Sequence, residues 1–434
     1  MSLKTFFTFC LLVVLSGKCL AQHSVLAQGQ WYKIGVTQSG VYRITADFLQ
    51  KTGLDLSAVN PKNLRLFGNG GRMLPQANAV ARPTDLIENA ILIEGEADGR
   101  FDSQDAIVFY GQSPHVIFYD STAQRFRHEY NLYSDTTFYY LTWGTTAGLR
   151  ISQRASVASG NAISIYDDYG FVEQDQKNMV QSGREWYGDD FGLLIADRDY
   201  SFDWSNVVSN TTVIVTSAVM AAAQGATEFQ VKLNGQSVGK QSVSGISSDR
   251  YDYKGSENTS VFKTPYVTVA NSALTVTLSY NRNGIASALG YLNYVGVEAK
   301  RTLRWGGKAF GFRSVESTAY ATTTYQLSEV NEPITIWDIT DPLKPLQQQN
   351  LLQSNQLTFG VTSTELRSFF AFSSKDYLEP TTIRAVANQD LRAVTNPNLI
   401  IITPPKFRAQ AERLAAFRRG ERVELVRNDA WWGG

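Results

Sequence analysis

Five carboxylates crowd one short stretch of the chain, four of them at ligand-like spacing. In Glu94-Gly95-Glu96-Ala97-Asp98-Gly99-Arg100-Phe101-Asp102-Ser103-Gln104-Asp105, residues Glu96, Asp98, Asp102 and Asp105 put oxygen ligands at short spacings around turn glycines. Calcium takes roughly six to eight such oxygens, and glycine allows the sharp turn that gathers them. The spacing is not that of a full EF-hand, because Arg100 intrudes and no glutamate closes the loop with two oxygens. These four residues are therefore a candidate Ca2+ site, one that would stiffen a loop rather than catalyse. They also read as a solvated acidic turn between two strands.

Nucleophilic chemistry finds little to work with. The two cysteines are Cys10 and Cys19, both in the first twenty residues, and the three histidines are His23, His115 and His128. No Gly-x-Ser-x-Gly elbow accompanies them, and no pair has zinc-site spacing. A catalytic histidine needs a partner on each side, so these read as surface histidines, and no residue is assigned a catalytic or cofactor-binding role. Gly68-Asn69-Gly70-Gly71 is glycine-rich, but Arg72-Met73-Leu74-Pro75 after it does not open a helix. A phosphate cradle needs that helix, so a plain tight turn is expected. A last cluster joins Glu185-Trp186-Tyr187-Gly188-Asp189-Asp190-Phe191 to Asp199-Tyr200-Ser201-Phe202-Asp203-Trp204. Such rings and carboxylates would bind glycan if exposed, and would be packing if they lie in a sandwich core.

The elements around these residues are mostly strands. Lys4 followed by the apolar run Phe6 to Leu15 reads as a secretory signal, too short to span a bilayer. Cleavage after Ala21 is expected. A lipoprotein site at Cys19 is the rival, disfavoured by Lys18. The mature chain would then have no cysteine, so burial alone must stabilise it. Of 434 residues, 40 are basic and 40 acidic. That balance gives no basic field for nucleic acid. No basic amphipathic helix points to a membrane surface.

The class read from the pattern is mainly β. An N-terminal β-rich domain is expected over 22–162, a β-sandwich domain over 163–300, and a small β unit over 301–385. Strands are expected at Trp31 to Val36, Val41 to Ile44 (with Gln38-Ser39-Gly40 turning between them), Leu64 to Phe67, Ala90 to Glu94, Ala106 to Tyr110, Val116 to Tyr119 and Thr137 to Trp143. In the sandwich, Phe229, Val231 and Leu233 alternate with charged and polar residues. Asn234-Gly235 then gives the strongest short hairpin signal.

From 386 the pattern changes to α/β. Leu399-Ile400-Ile401-Ile402 is a short buried-strand run, and Phe407, Ala411, Leu414 and Phe417 recur at helical spacing. Val423, Leu425 and Val426 form a second strand. Strand, helix, strand at this length is a right-handed parallel unit. Two parallel strands cannot stand alone, so 386–434 is expected to be the truncated start of an α/β domain, and the chain a piece of a longer protein. The rival is a small βαβ lid on the preceding domain.

Several ordered signatures carry a family resemblance: Gly29 to Ile34 with Ser39 to Ile44, Asp98-Gly99-Arg100-Phe101-Asp102 through Gly111, Trp337-Asp338-Ile339-Thr340-Asp341-Pro342, Asn388-Gln389-Asp390-Leu391, and Leu399 to Leu414. With them the chain resembles the N-terminal half of the type IX secretion system sortases, outer-membrane surface proteins of Bacteroidetes related to gingipain-type cysteine peptidases. The resemblance implies a caspase-like α/β domain with a His–Cys dyad, in which a thiolate attacks the scissile carbonyl. It implies removal of C-terminal sorting signals from secreted cargo and attachment of that cargo to the cell surface. It also implies partners among the outer-membrane components of the secretion system. The dyad maps onto no residue here, since no Cys or His follows His128. The tail Asn428-Asp429-Ala430-Trp431-Trp432-Gly433-Gly434 departs from the family pattern. The chain alone is therefore expected to be inactive as a peptidase. The alternative is a stand-alone, non-catalytic surface module, glycan-binding in one version.

Overall fold

The computed structural model describes residues 23–158, 160–179, 181, 183–204, 206–249, 251–266, 273–418 and the backbone of 423–427. The expected signal peptide at 1–21 and the tail at 428–434 lie outside the described residues. The fold is mainly β, as expected, built from several largely antiparallel sheets.

The first core lies between two sheets. One has five antiparallel strands in the order Thr382–Val386, Trp31–Val36, Thr137–Trp143, Leu64–Phe67, Glu88–Asn89. The other orders Gly40–Thr45, Ala106–Gly111 and Leu92–Glu94. Ile34, Val36, Ile44, Leu66, Phe109 and Tyr139 are buried between them, under the short helix Ala46–Lys51 that contributes Leu49. Trp31–Val36 and Gly40–Thr45 do form, but Gln38-Ser39 carries the chain from one sheet to the other rather than closing a hairpin.

The second core is a sandwich. Its first sheet runs Ile165–Glu173, Leu289–Thr302, Thr212–Ala222, Ser256–Pro265, and its second Asp197–Phe202, Leu274–Asn281, Thr227–Leu233, Gln236–Val243. Strand Thr227–Leu233 buries Thr227, Phe229, Val231 and Leu233 and turns the residues between them outward. That is the period-2 pattern of a half-buried strand. Leu233 pairs with Gln236, so Asn234 and Gly235 are the whole loop. Their φ values of 47° and 80° are those a tight hairpin of this hand requires.

The third core is aromatic: Phe312, Tyr325, Phe359 and Phe369 pack within about 6.4 Å of one another. Its strands include Phe310–Arg313, Thr322–Leu327, Thr335–Asp338, Gln356–Thr362 and Ser368–Phe372. The segments are stitched across the sequence. Ser152–Arg154 and Asn161–Ile163 join these sheets as parallel edge strands, while Thr382–Val386 returns to the first sheet. Val41, Val108 and Tyr110 pack on Trp337, Phe370 and Phe372, which welds the first and third cores together.

Last comes the α/β element. Leu399–Thr403 pairs in parallel register with Val423–Arg427, with the helix Arg408–Phe417 between them in sequence. The strand–helix–strand read from the sequence is present.

Candidate functional site

The acidic loop is held by its own polar contacts. Gly95, at φ 90°, and Gly99, at φ 81°, flank a turn at Glu96–Asp98. The Glu96 carboxylate accepts from Arg150 Nε at 2.8 Å, and Asp98 accepts the Arg100 backbone N–H at 3.0 Å. Asp105 is buried and accepts the Asp102 N–H at 2.9 Å. Among the described residues no three His, Cys, Asp or Glu side chains form a group that could hold a metal ion. Three of the four candidate side chains instead accept from protein donors: Glu96 from the Arg150 guanidinium, Asp98 and Asp105 from backbone N–H groups.

The histidines are also dispersed. His23 pairs with Asp390 on the surface. His115 stacks on Tyr130 at 3.9 Å, and its Nδ1 accepts the Asn131 N–H. Its pKa is lowered by burial. His128 is not the surface residue expected from sequence. It lies on the hairpin formed by Val116–Asp120 and Arg125–Glu129, which leans on the sandwich. Its side chain is 5% exposed, stacked on Phe171 at 3.9 Å with Tyr294 edge-on at 4.7 Å. Nε2 donates to the Glu173 carboxylate at 2.5 Å, and Nδ1 meets the Tyr169 hydroxyl at 2.7 Å. Nearby, the Phe126 N–H donates to Glu298 at 2.8 Å. With both ring nitrogens met by side chains of the sandwich, His128 is a joint between the hairpin and the sandwich. The sequence offered no sign of it, because its partners lie 41 to 172 residues away.

The aromatic and acidic cluster is mostly interior. Of its rings, Tyr187, Phe191, Tyr200, Phe202 and Trp204 are buried and Trp186 is open to solvent, as are Glu185, Asp199 and Asp203. The Tyr187 hydroxyl donates to Glu257 and that of Tyr200 to Asp189. Asp189 and Asp190 pair with Arg198. Rings held this way are packing.

The terminal α/β element differs from all of these, because it is anchored at its root and leaves apolar side chains exposed. Thr382–Val386 hydrogen-bonds along Trp31–Val36. Directly after it, Asn388 Nδ2 donates to the carbonyls of Leu26 and Gly29 at 3.1 and 3.0 Å. Asp390 accepts the Ser24 N–H, and Arg392 reaches Asp85. The Asn388 to Leu391 signature is thus a suture that ties the root of the α/β element to the first residues of the described chain. Beyond it, Leu399, Ile401 and Thr403 share the more covered face of their strand. Ile400 and Ile402, on the other face, are 51% and 55% exposed. Phe407, Leu414 and Phe417 are exposed on and beside the helix. A parallel strand normally has both faces covered. This is the candidate functional site: a βαβ edge hydrogen-bonded at its root, with exposed apolar side chains.

Comparison with known proteins follows the same line. No protein-family model and no curated protein sequence matches the chain. A solved structure of dimeric latent PorU from Porphyromonas gingivalis matches 94% of this chain at 25% identity, with a TM-score of 0.79. Two xylan-type modules also align. One is the carbohydrate-binding module CBM36 in complex with calcium and xylotriose, and the other is the CBM36-1 domain of a multidomain xylanase from the hindgut metagenome of Trinervitermes trinervoides. Both are 13% identical, cover 23% and 31% of this chain and 70% and 94% of their own, and have TM-scores of 0.16 and 0.17. Those scores are too low to carry any argument. The chain spans 38% of the length of the PorU chain it matches. Over nearly its whole length this chain is built like the N-terminal portion of PorU.

Proposed function

We propose that this chain is the N-terminal, non-catalytic scaffold of a type IX secretion sortase. The observation that carries this reading is the match to PorU over 94% of the chain, to only 38% of the PorU chain. In the complete protein a caspase-like α/β domain would continue the parallel sheet on Leu399–Thr403 and cover Ile400 and Ile402. The His–Cys dyad would lie in that continuation. The contribution of this chain is positional. The strand Thr382–Val386 and the suture through Asn388 and Asp390 fix the root of the catalytic domain to a large, welded β platform. A dyad needs its substrate held to within a fraction of an ångström, and a rigid root serves that need. The complete protein would act at the cell surface on cargo bearing C-terminal sorting signals, beside the outer-membrane components of the secretion system.

The test is cleavage of a sorting-signal peptide. The chain alone should give no thiol-dependent cleavage, and the chain continued by a PorU-like catalytic portion should give it. Cleavage by the pure chain alone would contradict the proposal.

A further inference from the structure

One cleft of about 540 Å³ opens where the three cores meet. It lies in the size range of small-ligand sites. Its edge strand is Phe310–Arg313, and apolar side chains such as Phe310, Phe370, Ile117 and Ile339 line it together with the hydroxyls of Ser39 and Tyr110. Burial pushes the Tyr110 phenol up to about 12, so at neutral pH it is an uncharged hydroxyl.

Asp168, which lines the cleft, and Asp167, Glu298 and Arg125 beside it each have a protein hydrogen-bond partner. Asp168 accepts from Arg301 Nη1 at 2.5 Å and from the Tyr169 N–H at 2.9 Å. Asp167 accepts from Lys300 at 3.1 Å and from the Val315 N–H at 2.7 Å. Glu298 accepts the Phe126 N–H, and burial raises its pKa. Arg125 donates to Thr216 Oγ1. Arg313 also lines the cleft. Its guanidinium lies 4.8 Å from the Phe126 ring centroid. Among the described residues no hydrogen bond or ion pair reaches it. Burial lowers its pKa, with Asp168, Tyr110, Asp167 and Glu298 opposing that shift from a distance. A guanidinium has five N–H donors in a planar fork, cut to the shape of a carboxylate. The carbon of the Arg313 guanidinium lies over the Phe126 ring, and none of its five donors has a protein acceptor among the described residues. Arg313 is half-buried, and a guanidinium drawn partly out of water with no protein acceptor is stabilised by an incoming anion.

We propose that this cleft binds a small carboxylate carried on an apolar body, with Arg313 as its anchor. The apolar wall takes the body, and the fork of Arg313 takes the two oxygens. The hydroxyls of Tyr110 and Ser39 lie in the same lining. This site is separate from the βαβ edge and does not depend on the sortase reading.

Calorimetric titration of the mature chain tests it with three probes: phenylacetate, its uncharged isostere phenylacetamide, and inorganic phosphate. Phenylacetate should bind saturably with one site per chain. Phenylacetamide and phosphate should bind at least tenfold more weakly. Arg313→Gln should weaken phenylacetate at least tenfold, with an unfolding midpoint equal to or above that of the wild type. The isostere comparison needs no variant, so it decides the matter even if Arg313→Gln folds poorly. Absent phenylacetate binding, equal affinity for phenylacetamide, or tighter binding of phosphate would each overturn the proposal.

Discussion

Glu88 shows how a single residue ties loops to a sheet. Its carboxylate takes Arg65 at both oxygens, at 3.1 and 2.6 Å, and also accepts the Leu149 N–H at 2.9 Å. Burial pushes its pKa up, but these donors outweigh burial and hold it below the ordinary glutamate value of 4.5. A depressed carboxyl stabilises the fold above its unfolded value and loses that contribution as pH falls through its folded value. Glu88→Gln should therefore cost about 1–2 kcal/mol at neutral pH. The gap to wild type should narrow as pH drops below 4.5. Urea melts across that window measure it. A gap that stays constant would mean that charge plays no part. His128 is the second test at this scale. His128→Ala leaves the Glu173 carboxylate and the Tyr169 hydroxyl without their partner in a desolvated joint. The expected loss is about 2–3 kcal/mol, read from the urea midpoint. A loss under about 0.5 kcal/mol, the level of ordinary surface substitutions, would return His128 to the surface role read from sequence.

Elements were legible wherever one face meets water. Thr227–Leu233 alternates cleanly because its outward residues stay wet, and Asn234-Gly235 announces its turn through the need for positive φ. Thr212–Ala222 was not legible. Its central residues are buried on both faces, under the sandwich core on one side and, in part, under the Arg125–Glu129 hairpin on the other. A strand covered twice loses its alternation. The turn at Gln38-Ser39 was readable as a turn, but not as a change of sheet, since partner choice depends on residues far along the chain. The site followed the same rule. The βαβ edge showed in the local pattern of Leu399 to Leu414, whereas the His128 joint and the Arg313 cleft arise only from long-range contacts. The exposed Ile400 and Ile402 carry a prediction of their own. Amides of Leu399–Thr403 should exchange far faster than those of Thr212–Ala222, because local opening costs least where few apolar contacts hold an element. Equal protection of the two strands in hydrogen exchange would mean that the βαβ edge is complete as it stands.

At the scale of the molecule, the three cores are bound by segments that cross between them. Thr382–Val386 lies beside Trp31–Val36 across some 350 residues of sequence, and the weld around Trp337 and Tyr110 joins the first core to the third. A platform of this kind holds whatever is rooted in it at a fixed place and angle. The balanced charge of 40 basic and 40 acidic residues agrees with a role in positioning rather than in long-range electrostatic capture. No helix among the described residues is long and apolar enough to cross a membrane.

The most direct test of this account is cleavage of a sorting-signal peptide, measured with and without a thiol-blocking reagent. The assay compares the isolated chain with the same chain continued by a PorU-like catalytic portion. The account predicts no cleavage by the chain alone and thiol-sensitive cleavage by the continued chain, lost when Asn388 and Asp390 are both replaced by alanine. Thiol-sensitive cleavage by the isolated chain, or full activity of the continued chain without that suture, would contradict it.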